Sequence, residues 1–208
     1  SSPTGEAPPS PSRPPLPIPP PRRGEGGARA CRRGLAEGRA APYIPGMTDL
    51  PPGEAEPDRR LYRITGADRE TFLQGLITND ARRIAAGPVY AALLTPQGKY
   101  LADFILVPDG EAILLDIHAA VAEATVKRLM LYRLRADVRI APAEGLHLHR
   151  GTGATPPDAW PDPRHPALGW RAYRPAPPGP AATDWTAIRL AHCIPETGIE
   201  LIPNDTYI

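Results

Sequence analysis

Apolar and polar positions are most regular between Val89 and Ile117, VYAALLTPQGKYLADFILVPDGEAILLDI. Three apolar runs are separated by Thr95-Pro96-Gln97-Gly98 and Val107-Pro108-Asp109-Gly110, each with Pro at the second turn position and Gly at the fourth. This is type I turn chemistry, and the pattern predicts a three-stranded antiparallel meander. In the middle run, strict alternation puts Leu101, Asp103, Ile105 and Val107 on one face and Tyr100, Ala102, Phe104 and Leu106 on the other. Both faces are apolar, so the strand is expected to be buried on both sides with a carboxylate inside it. Such a carboxylate is costly unless it is paired, hydrogen-bonded or neutralised. Asp103 is therefore the residue whose presence most needs a reason, while Tyr100, facing away, is expected to pack in the core.

Before the meander, RRLYRIT (59–65) alternates as a short strand. Phe72, Leu73, Leu76 and Ile77 then recur at helical spacing behind the possible caps Thr65 and Asp68, and Thr78-Asn79-Asp80 stops that helix. After it, Ala119 to Arg135 reads as a helix with an apolar stripe of Ala122, Val126, Leu129, Met130 and Leu134. Glu123 and Lys127 pair on its wet side. Arg133 lies near the centre of that stripe, its stem either covering apolar surface or facing a buried acid or anionic ligand. Strands are expected over 137–141, 145–150 and around 168–173. A last helix starts near Thr183 with Asp184 as its cap and ends before Pro195. His147 and His149 share a strand face, as two metal ligands would, but no third ligand stands at a matching spacing, and no metal is expected.

Residues 1–57 are rich in Pro, Gly and Arg and lack aliphatic periodicity. The expectation is a disordered arm with polyproline character near Pro14 to Pro21. Three readings of this arm compete: a ligand for a polyproline-binding groove, an Arg-rich transit peptide whose prolines oppose the needed helix, or sequence upstream of a true start at Met47. The formal net charge is +1, with Lys only at 99 and 127, so no direct nucleic-acid partner is expected. Cys31 and Cys193 lie far apart without metal spacing, which points to a reducing compartment. No apolar run reaches the length of a membrane span, and no membrane partner is expected.

Five segments, FLQGLITND (72–80), LLTPQGKYLADFIL (93–106), LYRLRADVRI (131–140), LGWRAY (168–173) and RLAHCIPETGIEL (189–201), resemble in order and spacing the YgfZ-type folate-binding iron–sulfur assembly proteins. That family belongs to the GcvT superfamily with the glycine-cleavage T-protein, an aminomethyltransferase. The resemblance runs from Arg59 to Ile208. It implies an α+β fold, an antiparallel sheet with packed helices forming the first part of a GcvT-like ring around a folate channel. The expected organisation is a disordered arm at 1–57, a folate-binding domain at 58–150 and a partial second domain at 151–208. The family's Lys-Gly-Cys-Tyr-x-Gly-Gln-Glu motif is absent, and the chain is expected to be truncated before it. Cys193 stands where the family usually has Gly and is read as a buried thiol.

By the same resemblance, Asp103 matches an acid close to bound tetrahydrofolate, and Glu196 and Arg189 match channel-lining groups. A pterin's adjacent N–H donors suit a carboxylate acceptor. The alternative for Asp103 is a structural carboxylate held by a neighbouring Arg or by backbone N–H groups. The implied function is a folate-binding accessory protein supporting iron–sulfur cluster assembly or repair and, through client enzymes, tRNA modification. Tetrahydrofolate or a one-carbon derivative is the implied cofactor, and assembly proteins or clients are the implied partners. The location is cytoplasmic, with the mitochondrial matrix as the alternative. A tetrahydrofolate-dependent aminomethyltransferase is the enzymatic alternative, and a non-functional fragment a further one.

Overall fold

The three apolar runs become adjacent antiparallel strands in the computed structural model, which describes Leu50 and residues 52–208. The disorder, docking, transit and Met47 readings of the arm, and Cys31, lie outside the described residues. Strands β1 (Arg59–Thr65), β2 (Val89–Leu94), β3 (Tyr100–Asp109), β4 (Ala112–His118) and β5 (Arg139–Pro142) form one sheet in the order β2-β3-β4-β1-β5. Every neighbouring pair is antiparallel. A second sheet, β6 (His147–Gly151), β7 (Trp160–Pro161) and β8 (Trp170–Arg174), has the order β6-β8-β7. The α+β class with antiparallel sheets is thus observed.

β3 is buried from Tyr100 through Val107 because both faces of the first sheet are covered. On one face, α1 (Arg69–Gln74), a 3₁₀ turn (Ala81–Ala86) and α2 (Ala119–Tyr132) bring Leu73, Ile84 and Leu129 against Phe104, Leu106, Leu115 and Ile117. On the other, Ile105, Val107 and Leu114 meet Tyr173 from the second sheet. The sequence periodicity foresaw both layers, since near-continuous apolar runs belong to strands without a wet face.

Three local features depart from the expected pattern. Leu93 pairs with Ala102 but Leu94 pairs with Tyr100, so Leu101 is an extra residue in β3. Such a bulge shifts the alternation by one, and it turns Tyr100 onto the face that carries Asp103. Second, Asp109 pairs with Ala112, so the hairpin turns at Gly110-Glu111, with Gly110 at φ +58°. Pro108 lies inside the strand rather than in the turn. β2 reaches only as far as Leu106, so no neighbour on that side needs the missing N–H.

Third, α2 stops at Tyr132 instead of Arg135. The N–H of Ala136 bonds to the carbonyl of Arg133 at 2.8 Å, closing a tight turn with Leu134 at φ +46°. Leu134 is 86% exposed and takes no part in the core, where Val138 packs instead. Arg133 is exposed, its guanidinium reaching the carbonyl of Val138 at 3.3 Å. Asp68 does not cap α1 through its side chain. Its carboxylate accepts from the N–H of Asp137 at 2.8 Å, tying the start of α1 to the chain entering β5.

Residues 52–57, within the expected arm, form a strap along the second sheet. Glu54 forms a bridge with Arg150 and accepts from the N–H groups of Ala182 and Thr183, the Thr183 hydroxyl and the indole of Trp185 at 2.6–3.1 Å. Burial opposes ionisation of Glu54, but those donors outweigh it and bring its pKa down to about 2.

Phe104→Ala is expected to lower unfolding stability by about 3–5 kcal/mol, because the ring is fully buried. Leu134→Gly is expected to leave stability unchanged or raise it by up to about 1 kcal/mol by relieving the left-handed backbone. Urea denaturation of both variants checks the pair, and a large loss in Leu134→Gly would contradict the placement of that residue.

Candidate ligand-binding site

The bulge at Leu101 and the pairing of β2 put two phenols beside Asp103. Its Oδ1 accepts from the Tyr100 hydroxyl at 2.6 Å and its Oδ2 from the Tyr90 hydroxyl at 3.0 Å. The Thr197 hydroxyl also donates to Oδ1 at 2.6 Å, from a segment 94 residues away in sequence. Asp103 is 5% exposed, and no arginine or lysine touches it among the described residues. Burial alone would raise its pKa. The hydroxyls of Thr197 and Tyr100, the Arg59 charge and the Tyr90 hydroxyl outweigh burial and hold it below the usual carboxylate range. Burial and the Asp103 charge together push both phenols up, so each stays a protonated donor. Tyr100 therefore does more than fill the core.

Thr197 reaches this position because of how α3 (Trp185–Ala191) ends. The helix opens on Asp184, whose carboxylate accepts from the N–H of Ala187 at 2.9 Å, as the sequence suggested. It closes with N–H bonds from Cys193 to the Leu190 carbonyl at 3.3 Å and from Ile194 to the Arg189 carbonyl at 2.9 Å. This is a Schellman ending, and it needs a left-handed residue, here Cys193 at φ +52°. Ile194 folds back with Ile188 in one apolar cluster, and the chain turns inward to bury Thr197. Cys193 itself is exposed, not the buried thiol expected. The tight turn leaves its side chain no core to enter.

Asp103, Thr197, Arg59, Arg150, Arg189 and Glu196 line one cavity of about 190 Å³. All three residues singled out in the sequence, Asp103, Arg189 and Glu196, contribute to it. Arg189 lies 2.8 Å from Glu196 and 3.0 Å from Glu200, and Glu196 is partly exposed. The Arg150 guanidinium stacks 4.3 Å from the centroid of Trp185, another wall residue.

Behind this cavity is a second buried carboxylate that the sequence reading passed over. Asp116 on β4 is fully buried and accepts from Arg59 at 2.6 Å, Arg171 at 2.7 Å and the Tyr173 hydroxyl at 2.8 Å. Arg171, 2% exposed, also contacts Glu56 at 2.8 Å and Asp162 at 3.0 Å. Glu56 pairs with Arg150, and Asp162 with Arg164. Burial works against the ionised form of Asp116, but Arg171 and then Arg59 overcome it, and its pKa falls well below the ordinary value. The signal was available: ILLDIH holds a carboxylate in an apolar run just as LADFIL does. The partner was less legible, because Arg171 is 55 residues distant.

A carboxylate has about four lone-pair positions. Two hydroxyls occupy Oδ1 and one occupies Oδ2, so Asp103 can accept one further donor from the cavity without rearrangement, and two if Thr197 lets go. Held ionised, it is a hydrogen-bond acceptor and a weak base. His147 and His149 do not converge on a ligand: His147 is exposed, while His149 is buried with Nε2 2.8 Å from the Ala176 carbonyl.

No family model matches the chain. It is similar to the iron-sulfur cluster assembly factor IBA57 homolog, mitochondrial, of Chaetomium globosum, with 32% identity over 243 aligned positions, 93% of this chain and 53% of that protein. The homolog of the same name from Neurospora crassa is 28% identical, over 70% of this chain and 39% of that protein. Iron-sulfur cluster assembly factor IBA57, mitochondrial, of Mus musculus is 33% identical over 43% of this chain and 29% of that protein. The chain thus spans about half the length of the first of these relatives and less of the others. A solved glycine cleavage system aminomethyltransferase T from Bartonella henselae overlaps 44% of this chain and 26% of its own, with TM-score 0.40 and 22% identity, too partial an overlap to define the fold.

Asp116→Asn is expected to cost about 3–5 kcal/mol, because it leaves buried arginines without their acid. Asp116, Glu56, Asp162 and Asp103 all have pKa values lowered by folding. Their contribution is complete above the unfolded values of about 4 and is lost as pH falls through the lower folded values. Unfolding free energy measured against pH should therefore decline modestly as pH falls through about 6.5, where burial holds the His149 pKa below that of the unfolded chain, and fall more steeply below about 4, with a shallower acid limb in Asp116→Asn. An unchanged acid limb in that variant would show that Asp116 does not carry the linkage.

Proposed function

We propose that this chain is an IBA57-type iron–sulfur cluster assembly factor of the mitochondrial matrix, and that its cavity binds tetrahydrofolate or a one-carbon derivative through Asp103. The assembly role and a mitochondrial location rest on the similarity, since the relatives' names carry both iron–sulfur cluster assembly and mitochondrial; the matrix is the compartment the family resemblance offered as its alternative. Those names favour the mitochondrion over the cytoplasm expected from the sequence. In this reading the protein works with iron–sulfur assembly proteins or client enzymes, and tRNA modification benefits through such clients.

The observation that carries the folate reading is the convergence of Asp103, Arg189 and Glu196 on one cavity from segments up to 93 residues apart. The pterin edge offers adjacent N–H donors. One takes the open position on Asp103 Oδ2, and the other replaces the Thr197 hydroxyl on Oδ1. Arg59 and Arg150 add positive charge along the same wall. Asp103 accepts and orients in this scheme and transfers no proton, in keeping with a pKa held below the usual range.

Titration calorimetry with tetrahydrofolate tests the reading. Asp103→Asn is expected to weaken binding by about ten- to a hundredfold, the worth of a charge-assisted hydrogen bond. Thr197→Val, which removes the competing hydroxyl, is expected to bind at least as tightly as the wild type. Wild-type protein that fails to bind, or Asp103→Asn that binds equally, overturns the folate reading. The assembly role is tested separately, by restoration of iron–sulfur enzyme activity in cells lacking the endogenous factor.

A further inference from the structure

The end of α2 is built unlike the rest of the surface. Leu131 is 77% exposed, Tyr132 47% and Leu134 86%, within a run in which every residue from Leu131 to Arg135 is exposed. Leu134 also holds a left-handed backbone that a leucine adopts at a cost. Arg128, one helical turn before Leu131, and Arg133 and Arg135, flanking Leu134, are exposed and form no ion pair among the described residues. Lys127 is matched by Glu123 at 2.7 Å, and Asp137, the acid nearest in sequence, accepts from the N–H of Ala67 and forms no ion pair with these three arginines. The result is an exposed apolar tip set among three arginines that have no ion-pair partner among the described residues.

We infer that this tip is a docking surface for an anionic lipid bilayer, with Leu131 and Leu134 entering the headgroup–acyl boundary, Tyr132 at the interface, and Arg128, Arg133 and Arg135 on the phosphates. Apolar side chains beside a cationic rim are the composition of a reversible interfacial anchor, and tyrosine favours that depth. Charge complementarity selects anionic lipid over neutral lipid. The shape selects a bilayer over a protein. A stable protein interface needs about 800 Å² a side around a packed centre, whereas this feature is three side chains projecting from a helix end. A bilayer asks for no complementary shape. No helix among the described residues is long and apolar enough to cross a membrane, so the contact is peripheral.

The test is co-sedimentation of the protein with vesicles of phosphatidylcholine alone or with about one third phosphatidylglycerol. Wild-type protein is expected to partition onto the anionic vesicles about tenfold or more over the neutral ones, with the preference lost in high salt. Leu131→Asn/Leu134→Asn is expected to lose about tenfold in partitioning to anionic vesicles, and Arg128→Gln/Arg135→Gln to lose the salt-sensitive part. All four positions are exposed, so each variant should keep the wild-type circular dichroism and unfolding midpoint. Equal binding to both vesicle types, or a leucine variant that binds like the wild type, overturns the inference. So does an absence of vesicle binding together with concentration-dependent dimerisation that the leucine variant abolishes, which would make a second copy of the chain the occupant.

Discussion

The contact between Arg171 and Asp116 joins the two sheets, and the rest of the structure is arranged around it. Neither ion would stand well where it does alone, since leaving a buried charge without its partner costs about 3–5 kcal/mol, a large part of a fold's margin of stability. Each is shared: Asp116 with Arg59 and Tyr173, Arg171 with Glu56 and Asp162. A network of this kind adds less net stability than apolar packing of the same volume would. Its contribution is direction. Arginine's planar fork admits few geometries, so the second sheet sits against the first at one register, and the cavity wall formed by Glu56, Arg59, Arg150 and Arg164 is set by the same bonds.

Asp103 is held differently. Three hydroxyl groups surround it, and hydroxyls, unlike guanidinium, can rotate and exchange one acceptor for another. The molecule thus contains two buried carboxylates on one sheet face with opposite characters. Asp116 is locked by full positive charges that nothing in the cavity can replace. Asp103 is satisfied by neutral donors, one of which arrives on a loop. Only the second arrangement leaves a carboxylate able to trade a partner for a guest.

How much of this was legible follows the range of the interactions. The meander, both buried faces of β3 and the cap of α3 could be read because alternation, turn chemistry and Asp184 act locally. The bulge could not be read, since Leu101 is an ordinary residue in an ordinary run and only pairing with β2 reveals it as surplus. That one residue reversed the expected facing of Tyr100 and supplied Asp103 with a ligand. The end of α2 was hidden for a related reason: LYRLR has good helix formers and no Gly or Pro, so nothing local says stop. Cys193 shows the reverse. Its place after α3 demands a left-handed conformation, the reason a glycine would suit this position and the reason the thiol is exposed here. That Asp103, Arg189 and Glu196 line one cavity could not be read from their spacing; family resemblance, not a local pattern, is what singled them out.

The strap at 52–57 ties the start of the described chain to both halves of the ion network. Glu54 fastens the loop that launches α3, and Glu56 supplies one of the acids to Arg171 and Arg150. Deleting residues 52–57 would strip both acids together, leaving two interior guanidinium groups short of a counter-charge and the helix that leads to Thr197 less firmly tethered. This short segment is therefore part of the folded body, which begins before the first recognisable strand.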